Sequence, residues 1–232
     1  MKTILITGAN RGIGLELSNQ YAADGWQIFA CSRHPETSDG LNALAEKYPD
    51  QIKVFPLDVA DPVQIEHLSS LMASETIDLL INNAGIYPDS GANGFGQTDY
   101  NEWLQAFKIN TLAPFKMSEM FINQISRSQL KTIVTISSQM GSIEDNTSGG
   151  SYLYRSSKAA VNMVVKSLAI DFKPKGIKVV VFHPGWVQTD MGGPNAMISV
   201  EQSVSGIRKV ISSLTLADSG KFLNYEGRKL PW

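Results

Sequence analysis

Apolar residues along the chain fall in short, mostly unbroken runs: Thr3–Ile6, Gln27–Cys31, Lys53–Leu57, Asp78–Ile81, Thr132–Ile136, Lys178–Phe182 and Lys221–Leu223. A strand covered on both faces has no solvent side for polar residues, so such runs predict parallel strands sandwiched by helices. Between them lie helix-length segments at Ile13–Asp24, Leu41–Lys47, Pro62–Ala73, Asp99–Ile125, Tyr152–Phe172 and Val200–Ser212. This alternation predicts an α/β fold, a doubly wound parallel sheet of the Rossmann-like kind, with about seven strands and helices on both faces. No linker, repeat or low-complexity tract interrupts it, so residues 1–232 read as a single domain. Three segments rich in turn formers, Tyr87–Thr98, Gln139–Ser151 and His183–Met197, each follow a predicted strand. That places them at the carboxyl edge of the sheet, where open α/β folds bind ligands.

Composition narrows the field. With 43% hydrophobic and 18% charged residues the chain can bury a core and is too apolar for disorder. Its 20 basic and 22 acidic residues leave a net charge of −2, which supplies no general field for nucleic acid or an anionic membrane. One cysteine, Cys31, excludes an internal disulfide and suits a reducing compartment. The apolar run Ile4-Leu5-Ile6 is cut off by Thr7-Gly8, too short for a secretory signal, and no stretch is long enough to cross a bilayer. A cytoplasmic protein is the expectation.

Thr7-Gly8-Ala9-Asn10-Arg11-Gly12-Ile13-Gly14 joins the first strand to the first helix. Glycines there let the backbone turn tightly against a pyrophosphate, and free N–H groups at a helix start attract its charge. The spacing is GxxxGxG, not GxGxxG, and its force comes from its place after the first strand of a βαβ series. About 20 residues beyond such a turn, NAD-binding folds carry an acid for the ribose diol. Here the sequence reads Cys31-Ser32-Arg33-His34, and the first acid is Glu36. Arg33 and Arg11 are suited to grip a 2′-phosphate; solvated surface arginines are the alternative.

The chain resembles the short-chain dehydrogenase/reductase family. The residues that carry the resemblance are Thr7-Gly8-x-x-x-Gly12-x-Gly14, Asn82-Asn83-Ala84-Gly85, Tyr154-Arg155-Ser156-Ser157-Lys158 and Pro184-Gly185, spread in order over nearly the whole chain. The Tyr154–Asn162 stretch, His183–Gly193 and the ending Tyr225–Trp232 are similar to the sniffer and C-factor branch of carbonyl reductases. The resemblance implies a dinucleotide-binding oxidoreductase that uses NADP(H) and acts on a small carbonyl or alcohol. It implies that Gly8, Asn10, Gly12, Ile13 and Gly14 hold the pyrophosphate end and that the pair Arg11 and Arg33 goes with the 2′-phosphate. Asp58 and Val59 would border the adenine, though Asp58 can equally cap the turn before Pro62. Asn83, Ala84 and Gly85 would support the ribose, and Pro184, Gly185, Val187 and Thr189 the nicotinamide amide and pyrophosphate. Loops 87–98, 139–151 and 186–198 would line the substrate, and a homodimer or homotetramer would form through the fourth and fifth predicted helices.

Reduction of a carbonyl needs a hydride donor, a proton donor and a group that holds the oxygen. Tyr154 and Lys158 are four apart, on one helix face, where the ammonium is expected to acidify the phenol. Tyr152 has only Ser156 at that spacing. Ser138, at the end of the fifth strand, is expected to donate to the substrate oxygen, or else to satisfy a strand-end backbone group, as Ser137 also can. Pro114 lacks an N–H, so the carbonyl of Asn110 loses its helical partner. By the resemblance Tyr154 and Lys158 would also bind the cofactor, Lys158 at the nicotinamide ribose, and Asn110 would hold a water so that Asn110, Lys158, the ribose and Tyr154 form one proton path; the other reading is a kink that shapes the helix. His34, His67 and His183 read as loop, surface and turn residues. A signalling protein that only binds NADP(H), and a nucleotide-sugar epimerase or dehydratase, are the competing readings; the latter needs a larger carboxyl-terminal region than the roughly 40 residues here.

Overall fold

In the computed structural model, which describes residues 1–89 and 94–232, seven parallel strands form one sheet in the order β3-β2-β1-β4-β5-β6-β7. They are β1 (Thr3–Thr7), β2 (Gln27–Ser32), β3 (Ile52–Pro56), β4 (Leu79–Asn82), β5 (Thr132–Ile136), β6 (Lys178–His183) and β7 (Phe222–Asn224). The helices are α1 (Gly12–Ala23), α2 (Asp39–Lys47), α3 (Pro62–Leu71), α4 (Tyr100–Phe107), α5 (Ala113–Ser126), α6 (Tyr152–Phe172) and α7 (Val200–Ser213).

Alternate side chains of each strand enter two separate cores. Ile4, Ile6, Ile28 and Ala30 face α1, α2 and α7 through Leu17, Tyr21, Leu41, Leu44, Val204 and Ile207. Leu5, Phe29, Leu80, Ile133 and Val179 face α3, α5 and α6 through Ile65, Leu68, Met117, Phe121, Val161 and Val165. Every residue of β1, β4 and β5 is buried, as unbroken apolar runs require. β3 is an edge strand in which only Ile52 of five residues is fully buried, and it ends on Pro56, which an edge tolerates because no further strand needs its N–H.

Chain order reverses between β1, which leads outward to β2 and β3, and β4, which leads to β5, β6 and β7. At this switch point the loops after β1 and β4 diverge and open a crevice at the carboxyl ends of the strands.

The predicted helix Asp99–Ile125 is three pieces. Between α4 and α5, residues Lys108–Leu112 form a π-turn, closed by the Ala113 N–H donating to the Lys108 carbonyl five residues back. Pro114 sits at the start of α5, so the missing N–H is absorbed by widening the helix by one residue. Of the predicted loop 87–98, residues 90–93 lie outside the described residues.

Candidate active site

The glycine turn is shaped by close packing. Gly8 has φ +65°, and a Cβ there would lie 3.0 Å from the Ala84 Cα; a Cβ on Gly14 would lie 2.1 Å from the Gly8 carbonyl oxygen. Neither position accepts a side chain. Asn83 ties this turn to the loop after β4. Its Nδ2 donates to the carbonyls of Thr7 (2.9 Å) and Gly8 (3.0 Å), while the Asn83 and Ala84 N–H groups donate to the Thr7 hydroxyl. The loop Asn82–Gly85 thus braces the turn from inside the switch point.

Helix α1 starts at this turn with no side-chain cap and no acid in its first turn. Its first amides therefore face the crevice as donors, which fits an anionic phosphate group. Arg33, exposed at the end of β2, has no ion pair among the described residues. Arg11 is paired with Asp190 of the loop after β6, reaching across the crevice, with both side chains largely exposed. Asp58 Oδ1 accepts from the Ala60 N–H (2.9 Å), so one oxygen serves the turn, while Asp61 caps the helix that follows. Val59 is half-buried beside it.

On the other side of the crevice the groups are buried. Tyr154 and Lys158 project from α6, with Lys158 Nζ 5.6 Å from the centre of the Tyr154 ring. The Lys158 ammonium donates to the Ile136 carbonyl at 3.0 Å, and burial lowers its pKa to about 8. Burial pushes the Tyr154 phenol up to about 12; a hydrogen bond with the Ser138 hydroxyl pulls the other way, and Tyr87 adds to the rise. The expected acidification of the phenol is therefore not what the protein matrix sets. Lys158 is bonded to a strand-end carbonyl rather than to the phenolic oxygen, and desolvation dominates. Ser138 also accepts from the Met140 N–H at 3.1 Å, so it caps the short turn Gln139–Gly141 while meeting the phenol. Among the described residues the Ser137 hydroxyl has no hydrogen-bond partner.

Asn110 sits within the π-turn and is buried. Its Oδ1 accepts from the Ile86 N–H (2.9 Å), and its Nδ2 donates to the Ile86 carbonyl and the Ser157 hydroxyl (both 3.0 Å). Sequence reasoning pointed to its main-chain carbonyl; the visible anchor is its side chain. Asn110 and Lys158 flank Gly85, where a Cβ would lie 3.2 Å from Asn110 Oδ1 and 3.5 Å from Lys158 Nζ. Ser138 just past β5, Tyr154 and Lys158 on α6, and Asn110 of the π-turn thus converge.

A cavity of about 550 Å³ lies against Ser138 and Tyr154, lined also by Tyr87, Arg155, His183 and Trp186. Pro184, Gly185, Val187 and Thr189 line its wall next to Ile13 of the glycine turn. His183 ends β6, and burial pushes its pKa down to about 4, so it is neutral. His67 and Tyr152 are exposed. Two groups went unnoticed in the sequence. Asp89 accepts from the Leu153 and Tyr154 N–H groups. The Trp232 main-chain oxygen accepts from Ser142 Oγ and the Ile143 and Glu144 N–H groups, pinning the loop that carries Asp145 into the cavity. Only the separation in sequence hid them.

The family model for short chain dehydrogenases matches residues 2–197. The chain belongs to the short-chain dehydrogenase family. Among its relatives, C-signal of Myxococcus xanthus is 43% identical over 157 residues, covering 67% of this chain and 93% of that protein. A 1-hydroxy-2-glutathionyl-2-methyl-3-butene dehydrogenase of Rhodococcus sp. (strain AD45) is 33% identical with full coverage of both, 100% and 100%. Among solved structures, an NADPH-bound carbonyl reductase from chicken fatty liver superposes with a TM-score of 0.92 at 35% identity, covering 100% of this chain and 99% of that one. The carbonyl reductase Sniffer of D. melanogaster gives 0.92 at 33% identity, with both chains covered to 100%. This dehydrogenase-family chain therefore shares its overall fold with two carbonyl reductases.

Proposed function

We propose that this protein is an NADP(H)-dependent oxidoreductase acting between a small carbonyl and its alcohol, with Tyr154 as the general acid and base. The observation that carries the reading is the buried Tyr154 phenol, bonded to Ser138 and flanked by Lys158, on the wall of a cavity that adjoins the glycine turn. The nucleotide edge fits the cofactor: uncapped α1 amides for the pyrophosphate, and Arg33, with no acid at that place, for the 2′-phosphate. When bound, the nicotinamide supplies the hydride. The chain's own work is to hold the substrate oxygen and deliver a proton to it. Ser138 donates to that oxygen, and the protonated Tyr154 gives up its proton there. A phenol near 12 is fully protonated at neutral pH, so the resting enzyme carries the proton that reduction consumes. Lys158, with its pKa near 8, lies close enough to favour the phenolate left behind and, beside Gly85 and Asn110, to pass on a replacement proton.

Gly8, Asn10, Gly12, Ile13, Gly14, Val59, Asn83, Ala84 and Gly85 complete the nucleotide side of this reading, and Pro184, Gly185, Val187 and Thr189 the nicotinamide side. Residues 1–232 act as one domain in a reducing, cytoplasmic setting; Cys31 is a free, buried thiol. Among the described residues no helix is long and apolar enough to cross a membrane, and no group of three or more potential ligands could hold a metal. Exposed apolar side chains on the neighbouring helices α4, α5 and α6, among them Leu104, Phe115, Met163 and Ile170, support a homodimer or homotetramer. A protein that only bound the nucleotide as a signal would have no use for a buried phenol on its pocket wall with a buried lysine beside it.

The test is consumption of NADPH, followed by its absorbance, with a panel of aldehydes and ketones, alongside NADH as control. Turnover with NADPH is expected. No turnover with any member, despite tight NADPH binding, would favour the binding-only reading.

A further inference from the structure

Helix α6, which carries the reacting groups, begins without a cap of its own. Ser151 stands at its N-cap with φ 45°, in the left-handed region, and makes no side-chain bond to the helix. Its hydroxyl instead meets the Tyr87 hydroxyl at 2.9 Å. The open amides are taken by Asp89, from the loop after β4. Its Oδ1 accepts from the Leu153 N–H at 3.2 Å and its Oδ2 from the Tyr154 N–H at 2.7 Å. A carboxylate is the strongest side-chain partner for that end of a helix, through both the bonds and the dipole. Two residues away, Tyr87 lays its ring edge-on against the Tyr154 ring, with centres 4.8 Å apart and planes at 62°. One loop thus grips the proton donor twice, at its main-chain N–H and at its ring.

We propose that Asp89, supported by Tyr87, is a positioning residue that sets the direction of the Tyr154 phenol. The phenolic oxygen is the far end of a long side chain, so a small tilt of the first turn of α6 becomes a larger displacement at the reacting atom. Misplacement by about 1 Å can cost on the order of a hundredfold in rate. Both grips come from the loop that also walls the cavity at Tyr87. The loop after β4 therefore couples substrate contact to alignment of the acid, and it does so from outside the Tyr-x-x-x-Lys segment.

This inference rests on Tyr154 being the acid and base. The experiment compares Asp89→Ala, Asp89→Asn and Tyr87→Leu with the wild-type protein, using NADPH and whichever carbonyl the wild type turns over. Asp89→Ala should lower kcat by roughly tenfold or more while the Kd for NADPH stays within about twofold, because the nucleotide edge is built elsewhere. Asp89→Asn retains an amide oxygen as acceptor and should recover a large part of that loss. Tyr87→Leu, which leaves the cap intact, should also lower kcat, and it decides the matter if Asp89→Ala does not fold. A cap that serves stability alone would lower Tm and leave kcat within about twofold in all three variants, which would overturn the proposal. Wild-type turnover with unaffected variants removes this inference only; absence of wild-type turnover removes it together with the functional reading.

Discussion

On the β1–β2 side of the crevice the working groups are main-chain amides and exposed guanidinium groups; on the β5–β6 side they are buried side chains. The first side is shaped by the absence of side chains at Gly8 and Gly14, where a Cβ would strike the Ala84 backbone or the Gly8 carbonyl. The second is shaped by their presence: Asn110, Ser138, Tyr154 and Lys158 are each no more than 9% exposed. The difference follows from the task. A phosphate is a fixed charge that an array of amides and an arginine can hold near water. A proton in transit needs a donor whose affinity is set by its surroundings, and here burial is the largest cause of the shift at both groups. Burial raises the phenol to about 12 and lowers the ammonium to about 8, so two groups whose ordinary values nearly coincide are driven apart, each toward its neutral form.

The contrast can be broken most severely at the phenol. Tyr154→Phe should reduce kcat by at least about a hundredfold and leave the Kd for NADPH within about twofold, measured by turnover and by fluorescence titration. Equal loss of binding and turnover would mean that the two sides are not separable.

A second test uses stability. The folded value of Lys158, about 8, lies below its ordinary 10.5. Between those values the unfolded chain binds a proton that the folded chain lacks, so stability rises with pH across that window. The rise is at most about 3 kcal/mol. Above pH 10 the Tyr154 phenol, held up to about 12, works in the opposite sense, because the unfolded chain then loses a proton the folded one keeps. Urea unfolding from pH 8 to 10 should show the rise in the wild type and a much flatter profile in Lys158→Met; an equal slope in both would remove the buried-ammonium account.

The smallest effect is expected on the exposed side. Arg33→Ala should weaken NADPH by about tenfold, as loss of a charge-assisted contact to a phosphate does, while NADH binding moves by less than about twofold. Equal loss for both nucleotides would place the 2′-phosphate elsewhere.

Some of this was legible along the chain because the evidence was local. The β5 run Thr132–Ile136 and the helix Tyr152–Phe172 fall where the apolar pattern predicts them. The glycine spacing and the four-residue step from Tyr154 to Lys158 are likewise local geometry. What stayed hidden depended on contacts distant in sequence. The Asp89 cap on α6 spans 65 residues to Tyr154, and the Trp232 oxygen that pins the loop at Ser142 spans 90. The π-turn at Lys108–Leu112 was half visible: Pro114 announces a lost bond, but whether the helix kinks or widens is decided by what its side faces. Here it widens, and Asn110 bonds the Ile86 backbone.

By itself the order of apolar runs, glycines and turn formers determined a parallel sheet, its switch point and the residues that gather there, since those follow from burial period and chain direction. The protonation balance of Tyr154 and Lys158 was decided only by the tertiary structure. How much water each group loses, and which carbonyl or hydroxyl it meets instead, is a property of packing between segments that the spacing of residues does not carry.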